Sequence, residues 1–402
     1  METHPKSKSD RFVLQERLIE ESIERCVPIK DILDDNGLKY SDLEYFSNKV
    51  LEPTKPNFSF QNFTSAFEEK IPVVSFFSGA GGLDLGLEKA NFQSKLLFEH
   101  NQTFCETLRL NFKNAQVIGP PNHGGDVSNG DDIISTLKHS EIPKHFDGVF
   151  IGGPPCQPFS IAANQRFNKA GDNFKRTGFQ HQTNGGLLFD YIDLIIEFKP
   201  RVFLIENVPG LQEIDGGEQL NLVYEKLKFA GYFVHKPVIL EASDFGVPQS
   251  RKRLFIIGSL DGEFDFQIPV QNQKQRCIDH IFDIEDTCSN HETREHSASS
   301  IQRYMYIDYG QREKLGRVDR LDPLKPSKTV IAGGSGGGGR SHLHPTIPRT
   351  LSPRECARLQ TFPDSFTFCG PNARQFNQIG NAVPPLLSAQ IAEYVIRPIF
   401  AG

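Results

Sequence analysis

The chain has 402 residues, 38% of them hydrophobic and 23% charged, with a formal net charge of −6. That length accommodates one large domain with a smaller one beside it, and the charge excludes a protein coated in positive potential over its whole surface. No apolar run reaches the length of a membrane span, the start METHPKSKSD lacks a secretory signal, and the seven cysteines contain no CxxC pair. A reducing cytoplasm is expected, with neither a disulfide framework nor a metal site.

Residues 1–70 read as an N-terminal helical extension and linker. Phe12, Leu14, Leu18, Ile19 and Ile23 fall on one face of an amphipathic helix. The stretch 27–50 reads as two short helices around Asn36-Gly37, a helical hairpin in preference to a DNA-reading helix-turn-helix. Residues 51–63, LEPTKPNFSFQNF, read as a linker.

From Ile71 the pattern alternates. Strands are predicted at 72–78, 95–100, 146–153, 201–208, 233–240 and 253–259, with helices at 186–199 and 220–231 among those between them. This alternation predicts an α/β fold, a doubly wound and mostly parallel sheet over 71–260. Residues 260–300 break the rhythm, and GGSGGGGR (333–340) is too glycine-rich for a helix or a strand interior. A smaller irregular domain is placed at 261–371. The segment 372–402, with a Pro-Pro-started helix at 385–396, returns to the first domain. Positive charge is local: Arg166, Lys169, Lys175 and Arg176 stand against Asp172 in 161–181, and nine Lys/Arg stand against four acids in 301–349. Nucleic-acid binding needs such local surfaces, although each alone is ordinary solvated surface.

The chemistry-bearing residues follow the strands. FFSGAGGLDLGLEKANF (76–92) is a glycine-rich turn between the first strand and the first helix, where Gly79, Gly81 and Gly82 permit close approach of a ligand. Glu99, ending the next strand, is placed to accept from ribose hydroxyls, and Asp126, after the third, suits an adenine amino group. Together they point to a bound nucleoside, and the chain contains no GxxxxGK[ST] for a triphosphate. IGGPPCQPFS (151–160) spends three prolines and two glycines around Cys156, just past a strand's C-terminal end. A lone cysteine is ordinarily a small buried hydrophobe, but that sheet edge is where ligands bind. Glu206, in LIENVPGL (204–211), reaches the same edge, where a carboxylate needs a partner or a task. Arg251 and Arg253, two apart at the entry to a strand, share a face suited to holding an anion or orienting Glu206.

The ordered set FxGxGG, PPCQPFS, ENV, QxRxR, RTLSPRECARLQTFPDSF (349–366) and QIGNAVPP (378–385) resembles the C5-cytosine DNA methyltransferases of bacterial restriction–modification systems, over about 71–402. The resemblance implies a Rossmann-like fold that uses S-adenosyl-L-methionine, with a target-recognition domain and double-stranded DNA as partner. It implies Cys156 as nucleophile and Glu206 at cytosine N3 and the exocyclic amine. It also implies Arg253 with Arg251 as supports of the nucleotide, and Phe77, Gly79, Gly81, Glu99, Asp126, Pro155 and Asn381 around the cofactor. Residues 261–348 would read the target, with Arg303, Arg312, Arg317, Arg320 and Arg340 as candidates for base or phosphate contacts. Two stretches depart from the family: the segment after Ser160, 161–186, is longer with its glycines displaced, and the recognition region is short.

The expected activity is methyl transfer to C5 of a flipped-out cytosine in a specific sequence, by a monomer that protects DNA against a separately encoded endonuclease. A tRNA substrate would call for a Cys-Phe-Thr signature in the recognition region, which the sequence lacks. A catalytically silent DNA-binding regulator would not need Cys156, Glu206, Arg251 and Arg253 intact.

Overall fold

The computed structural model describes residues 8–47, 51–56, 58–155, 186–315, 318–332 and 342–401. Cys156, the loop to 185, Arg317 and Arg340 lie outside the described residues.

Among the described residues, eight strands form one sheet: β1 (Ile71–Phe76), β2 (Phe92–Phe98), β3 (Gln116–Ile118), β4 (Val149–Gly152), β5 (Val202–Asn207), β6 (Phe233–Val234), β7 (Val238–Glu241) and β8 (Lys252–Ser259). The order is β3-β2-β1-β4-β5-β8-β6, with β7 also pairing β8. The pairings from β3 to β5 are parallel, and β8 runs antiparallel to β5, β6 and β7. The doubly wound, mostly parallel sheet is therefore present.

Strand side chains alternate between two cores, as the period of two requires. Val74, Phe76, Phe150, Phe203, Ile205, Leu254 and Ile256 pack on one face with the helices Gly130–His139, Gly186–Phe198 and Glu218–Phe229. Ile71, Val73, Val149, Ile151, Val202, Leu204, Phe255 and Ile257 pack on the other, beneath the helix that follows β1 (Gly82–Lys89) and the last helix (Pro385–Ile391, continuing to Ala401). Gly86 allows those two helices to touch, because a Cβ there would stand 2.4 Å from the Pro385 carbonyl oxygen. The chain winds outward from β1 through β2 to β3, then restarts on β1's other side with β4. The turns after β1 and β4 thus flank the switch point, where open sheets bind ligands.

Three expectations are corrected. The predicted strand 233–240 is two short ones, because the Lys236-Pro237 step removes a ladder N–H and breaks the run. The second helix of 27–50 is only a three-residue 3-10 turn (Tyr40–Asp42) after the helix Ile29–Asp35. Residues 51–63 are not a loose linker: Phe60 and Phe63 are buried in the second core.

A third cluster joins Ala80, Leu97, Cys105 and Leu108 to Cys277, Ile278, Cys356, Leu359, Phe362 and Phe376, so the segment around the RTLSPREC motif rests on the β2 side of the sheet. A fourth joins Phe12, Leu18 and Ile19 of the helix Asp10–Arg25 to Ile29, Ile32 and Leu33, and to Ala298, Ile301 and Met305. Ile23, predicted on the buried face, is 39% exposed. Among the described residues no helix is long and apolar enough to cross a membrane.

Candidate active site

The turn after β1 is shaped by three left-handed residues: Phe77 (φ 53°), Gly79 (57°) and Gly81 (79°). Phe77 bears a side chain in a conformation that side chains avoid, a feature that clusters at functional positions. At Gly81 a Cβ would stand 2.4 Å from the Phe112 ring, so packing as well as conformation demands glycine. At Gly79 a Cβ would meet only the Phe77 carbonyl, at 3.9 Å among the described residues. The backbone there faces open space, and the turn is a cradle.

Glu99 closes one side of that cradle. Its buried carboxylate accepts the Gly79 N–H (2.8 Å) on one oxygen and the Asn101 N–H (2.8 Å) on the other. His100 Nδ1 lies 3.2 Å away, and the carboxylate raises that imidazole's pKa. Glu99 therefore shapes the turn as well as facing it. Asp126 sits exposed at the loop after β3, one oxygen accepting the Ser128 amide and hydroxyl. Gly119 and Gly125 let this loop press on the Glu99 backbone, where a Cβ would come within 1.9 and 2.3 Å of its carbonyl oxygen. Arg109, which the sequence reading passed over, ties the loop down through Pro120 and Gly119 carbonyls at 2.6 and 2.7 Å. A buried carboxylate beside an open glycine turn suits a nucleoside moiety, so these residues fit the expected cofactor.

Glu206 and Arg253 meet across the antiparallel pair of β5 and β8 as an ion pair, Arg253 Nε lying 2.9 Å from Glu206 Oε1. The Glu206 side chain is only 12% exposed. Burial raises its pKa against the opposing pull of the Arg253 and Arg251 guanidinium groups. Its other oxygen lies 2.9 Å from where a Gly153 Cβ would be, so the carboxylate sits against the GGPP turn after β4. Asn207 Nδ2 reaches the Pro154 carbonyl at 3.4 Å, linking the two turns. Asn207 is a positioning residue that the ENV motif contains but that chemistry alone does not single out.

Arg251 does not share Arg253's direction. It precedes β8 and is fully buried, donating to the Gly380 carbonyl (2.7 Å) and the Val330 carbonyl (3.3 Å). It braces the end of the helix Asn372–Asn381 and the chain entering 333–341. Asn381, exposed on that helix's last turn, is held by Asn377 Oδ1 at 2.7 Å. Pro155 is the last described residue before Cys156.

Among the recognition-region arginines, Arg320 is corrected. It is 0% exposed, turned inward between the Tyr45 and Tyr309 rings, and cannot reach DNA without unpacking the region. Arg303 is partly exposed and pairs with Glu313 at 3.2 Å. Near the RTLSPREC motif, Ser352 and Glu355 form a capping box at the helix Pro353–Leu359, and Arg349 clamps Glu355 through two bonds at 2.7 and 2.8 Å. The S-x-x-E spacing was a readable signal for that cap.

A doubly wound sheet with a glycine cradle at its switch point and an acid–arginine pair on the adjoining strand ends defines an α/β protein built to hold a nucleoside-bearing ligand at that edge. The model of the C-5 cytosine-specific DNA methylases matches residues 71–397, and the chain belongs to that family. It is 32% identical over 361 residues to the Type II methyltransferase M.PspPI of Psychrobacter, covering 82% of this chain and 80% of that one. To M.MthTI of Methanothermobacter thermautotrophicus it is 34% identical over 353 residues, covering 81% and 97%. A crystal structure of a candidate DNA modification methyltransferase encoded within an E. coli prophage superposes with a TM-score of 0.65 at 26% identity, covering 83% of this chain and all of that one. The protein is a DNA cytosine-5 methyltransferase.

Proposed function

We propose that this methyltransferase works by covalent attack of Cys156 on C6 of a cytosine turned out of the duplex, as the modification partner of a separately encoded endonuclease, as a monomer. The observation that carries the mechanism is the Glu206–Arg253 pair against the GGPP turn that leads into Cys156.

Cytosine C5 is a poor nucleophile. The Cys156 thiolate forms a bond to C6, and Glu206 delivers a proton to N3 as the ring electrons move toward it. C5 is then an enamine carbon. Phe77, Gly79, Gly81, Glu99, Asp126, Pro155 and Asn381 would hold S-adenosylmethionine, which when bound would supply an electrophilic sulfonium methyl for that carbon, its sulfur leaving as the thioether of S-adenosylhomocysteine. Loss of the C5 proton to a base restores the C5–C6 double bond and expels the thiolate, and the N3 proton returns to Glu206. Burial that raises the Glu206 pKa keeps a proton available at N3, and Arg253 fixes the carboxyl so that the proton arrives in one direction. Taking the base out of the stack costs a few kcal/mol, which contacts in the closed complex must repay.

The modification role rests on relatives named as Type II methyltransferases. The test is bisulfite sequencing of DNA from a methylation-free host expressing the protein. Methylated cytosines confined to one sequence context support the reading, and DNA without any overturns it.

A further inference from the structure

The recognition region has little framework of its own. Among the described residues of 305–350, strand-type pairing consists of isolated bridges, Arg312 with Asp319, Arg320 with Leu343, Leu343 with Thr350, and Ser327 with Gln249 of the catalytic part. Leu321 and Val330 join the third cluster, and the apolar cluster left to the region itself is Val318 and Leu343 with Tyr304. So small a core supplies little stability. Residues 325–330 are tied to 248–251 of the catalytic part and to Cys277, and the stretch around Arg320 is held as well by the N-terminal extension, which lies outside the family match.

Arg320 occupies the centre. Its guanidinium carbon lies 3.5 Å from the centroid of the Tyr45 ring and 3.9 Å from that of Tyr309. It donates to the Pro345 carbonyl (2.9 and 2.7 Å), the Ile307 carbonyl (2.7 Å) and Ser47 Oγ (3.0 Å). A buried guanidinium is costly unless enclosed by acceptors and ring faces, and the extension supplies one ring and one hydroxyl of that enclosure. Tyr45 Oη also donates to the His344 carbonyl at 2.9 Å. Residues 344 and 345 are thus both tied to the Tyr45–Arg320 stack. Further along the seam, Phe46 N–H donates to the Met305 carbonyl (2.8 Å), and Gln15 exchanges hydrogen bonds with the Glu44 backbone. Ile29, Ile32 and Leu33 point into the same cluster as Ala298 and Ile301. The apolar face of the extension is consumed by the seam.

We infer that the N-terminal extension is the scaffold of the target-recognition region, and that Tyr45 is a positioning residue for DNA discrimination, acting through Arg320 on residues 344–345. The inference rests on the proposed reading that 261–348 recognises the target. It makes the extension part of specificity and not a separable regulatory unit.

The test uses the full-length chain. The wild type's own methylated site is first defined by bisulfite sequencing. Duplexes carrying that site, or the site with one base changed, then give specificity constants for wild type, Tyr45→Ala, Tyr45→Phe and a second seam variant, Ile19→Asn. Tyr45→Ala and Ile19→Asn should each lower the cognate-to-changed ratio about tenfold or more, chiefly through the DNA KM, and Tyr45→Phe, which keeps the ring, should retain most of it. Affinity for S-adenosylhomocysteine should stay within about twofold in all. Wild-type ratios in both Tyr45→Ala and Ile19→Asn overturn the inference. So does a loss of S-adenosylhomocysteine affinity parallel to the loss of discrimination, since the extension would then support the whole fold. A wild type that methylates no cytosine refutes the functional reading instead, before any variant is compared.

Discussion

Glu206 is subject to two opposed demands. Burial raises its pKa, and the Arg253 guanidinium at 2.9 Å and nearby Arg251 pull it back, leaving it above the ordinary value. A carboxyl so balanced can hold a proton for N3 and still be oriented by a cation. Glu206→Gln keeps the size and removes the transferable proton. It should lower kcat by about 10²–10⁴-fold, the usual worth of a positioned acid, with S-adenosylhomocysteine affinity unchanged by calorimetry. A kcat near wild type would remove Glu206 from the proton's path. Asp84, third in the first helix, was not singled out from sequence. It is 0% exposed, neither oxygen meets a donor in hydrogen-bond geometry among the described residues, and burial pushes its pKa up to about 7 against a pull from the Ser75 hydroxyl. The unfolded chain ionises near the ordinary 3.8. Between those values the folded state holds the extra proton, so stability falls as pH rises through the window and stays lower above it. Asp84→Asn abolishes that dependence. Its melting temperature relative to wild type should therefore be higher at pH 8 than at pH 5, and a difference that does not change with pH contradicts the assignment.

At the scale of elements, the helix Pro353–Leu359 shows how buried charge fixes the recognition lead-in. Glu355 caps the helix through the Ser352 N–H (2.7 Å) and receives both arms of Arg349. Despite burial, Arg349 holds its pKa down to about 2. Glu355→Gln leaves the Arg349 cation buried without its counter-charge and should destabilise the protein by about 3–5 kcal/mol in urea titration. A loss below about 1 kcal/mol would place that pair among those worth little. The strands β1, β4, β5 and β8 were legible in sequence, because each is a continuous apolar run closed by a turn. The break at Pro237 was not read, since a strand-like run on both sides concealed the missing N–H. The second helix of 27–50 was overcalled: polar–apolar spacing fits a helix, but Leu43 and Tyr45 are buried from extended chain.

Across the whole molecule, the fold gathers at one sheet edge what the sequence spreads from Phe77 to Glu206. The order β2-β1-β4-β5 places Glu99, the glycine turn, the GGPP turn and Glu206 on successive strand ends. Motif order made that edge legible, because each motif follows an apolar strand. The destinations of the buried arginines were not legible. Arg251 and Arg253 look equivalent at a spacing of two, yet only tertiary packing sends Arg251 to Gly380 and Arg253 to Glu206. Arg320 looked like a DNA contact and is enclosed by aromatic rings, one of them from a segment 275 positions earlier in the chain. The central claim remains the covalent step at Cys156. A duplex carrying the methylated site with 5-fluorocytosine at the target position tests it, because fluorine blocks the loss of the C5 substituent that releases the enzyme. Incubated with S-adenosylmethionine, the wild type should form an adduct that survives denaturing electrophoresis, and Cys156→Ser should form none. A wild type without an adduct, or an equal adduct from the serine variant, would contradict the account.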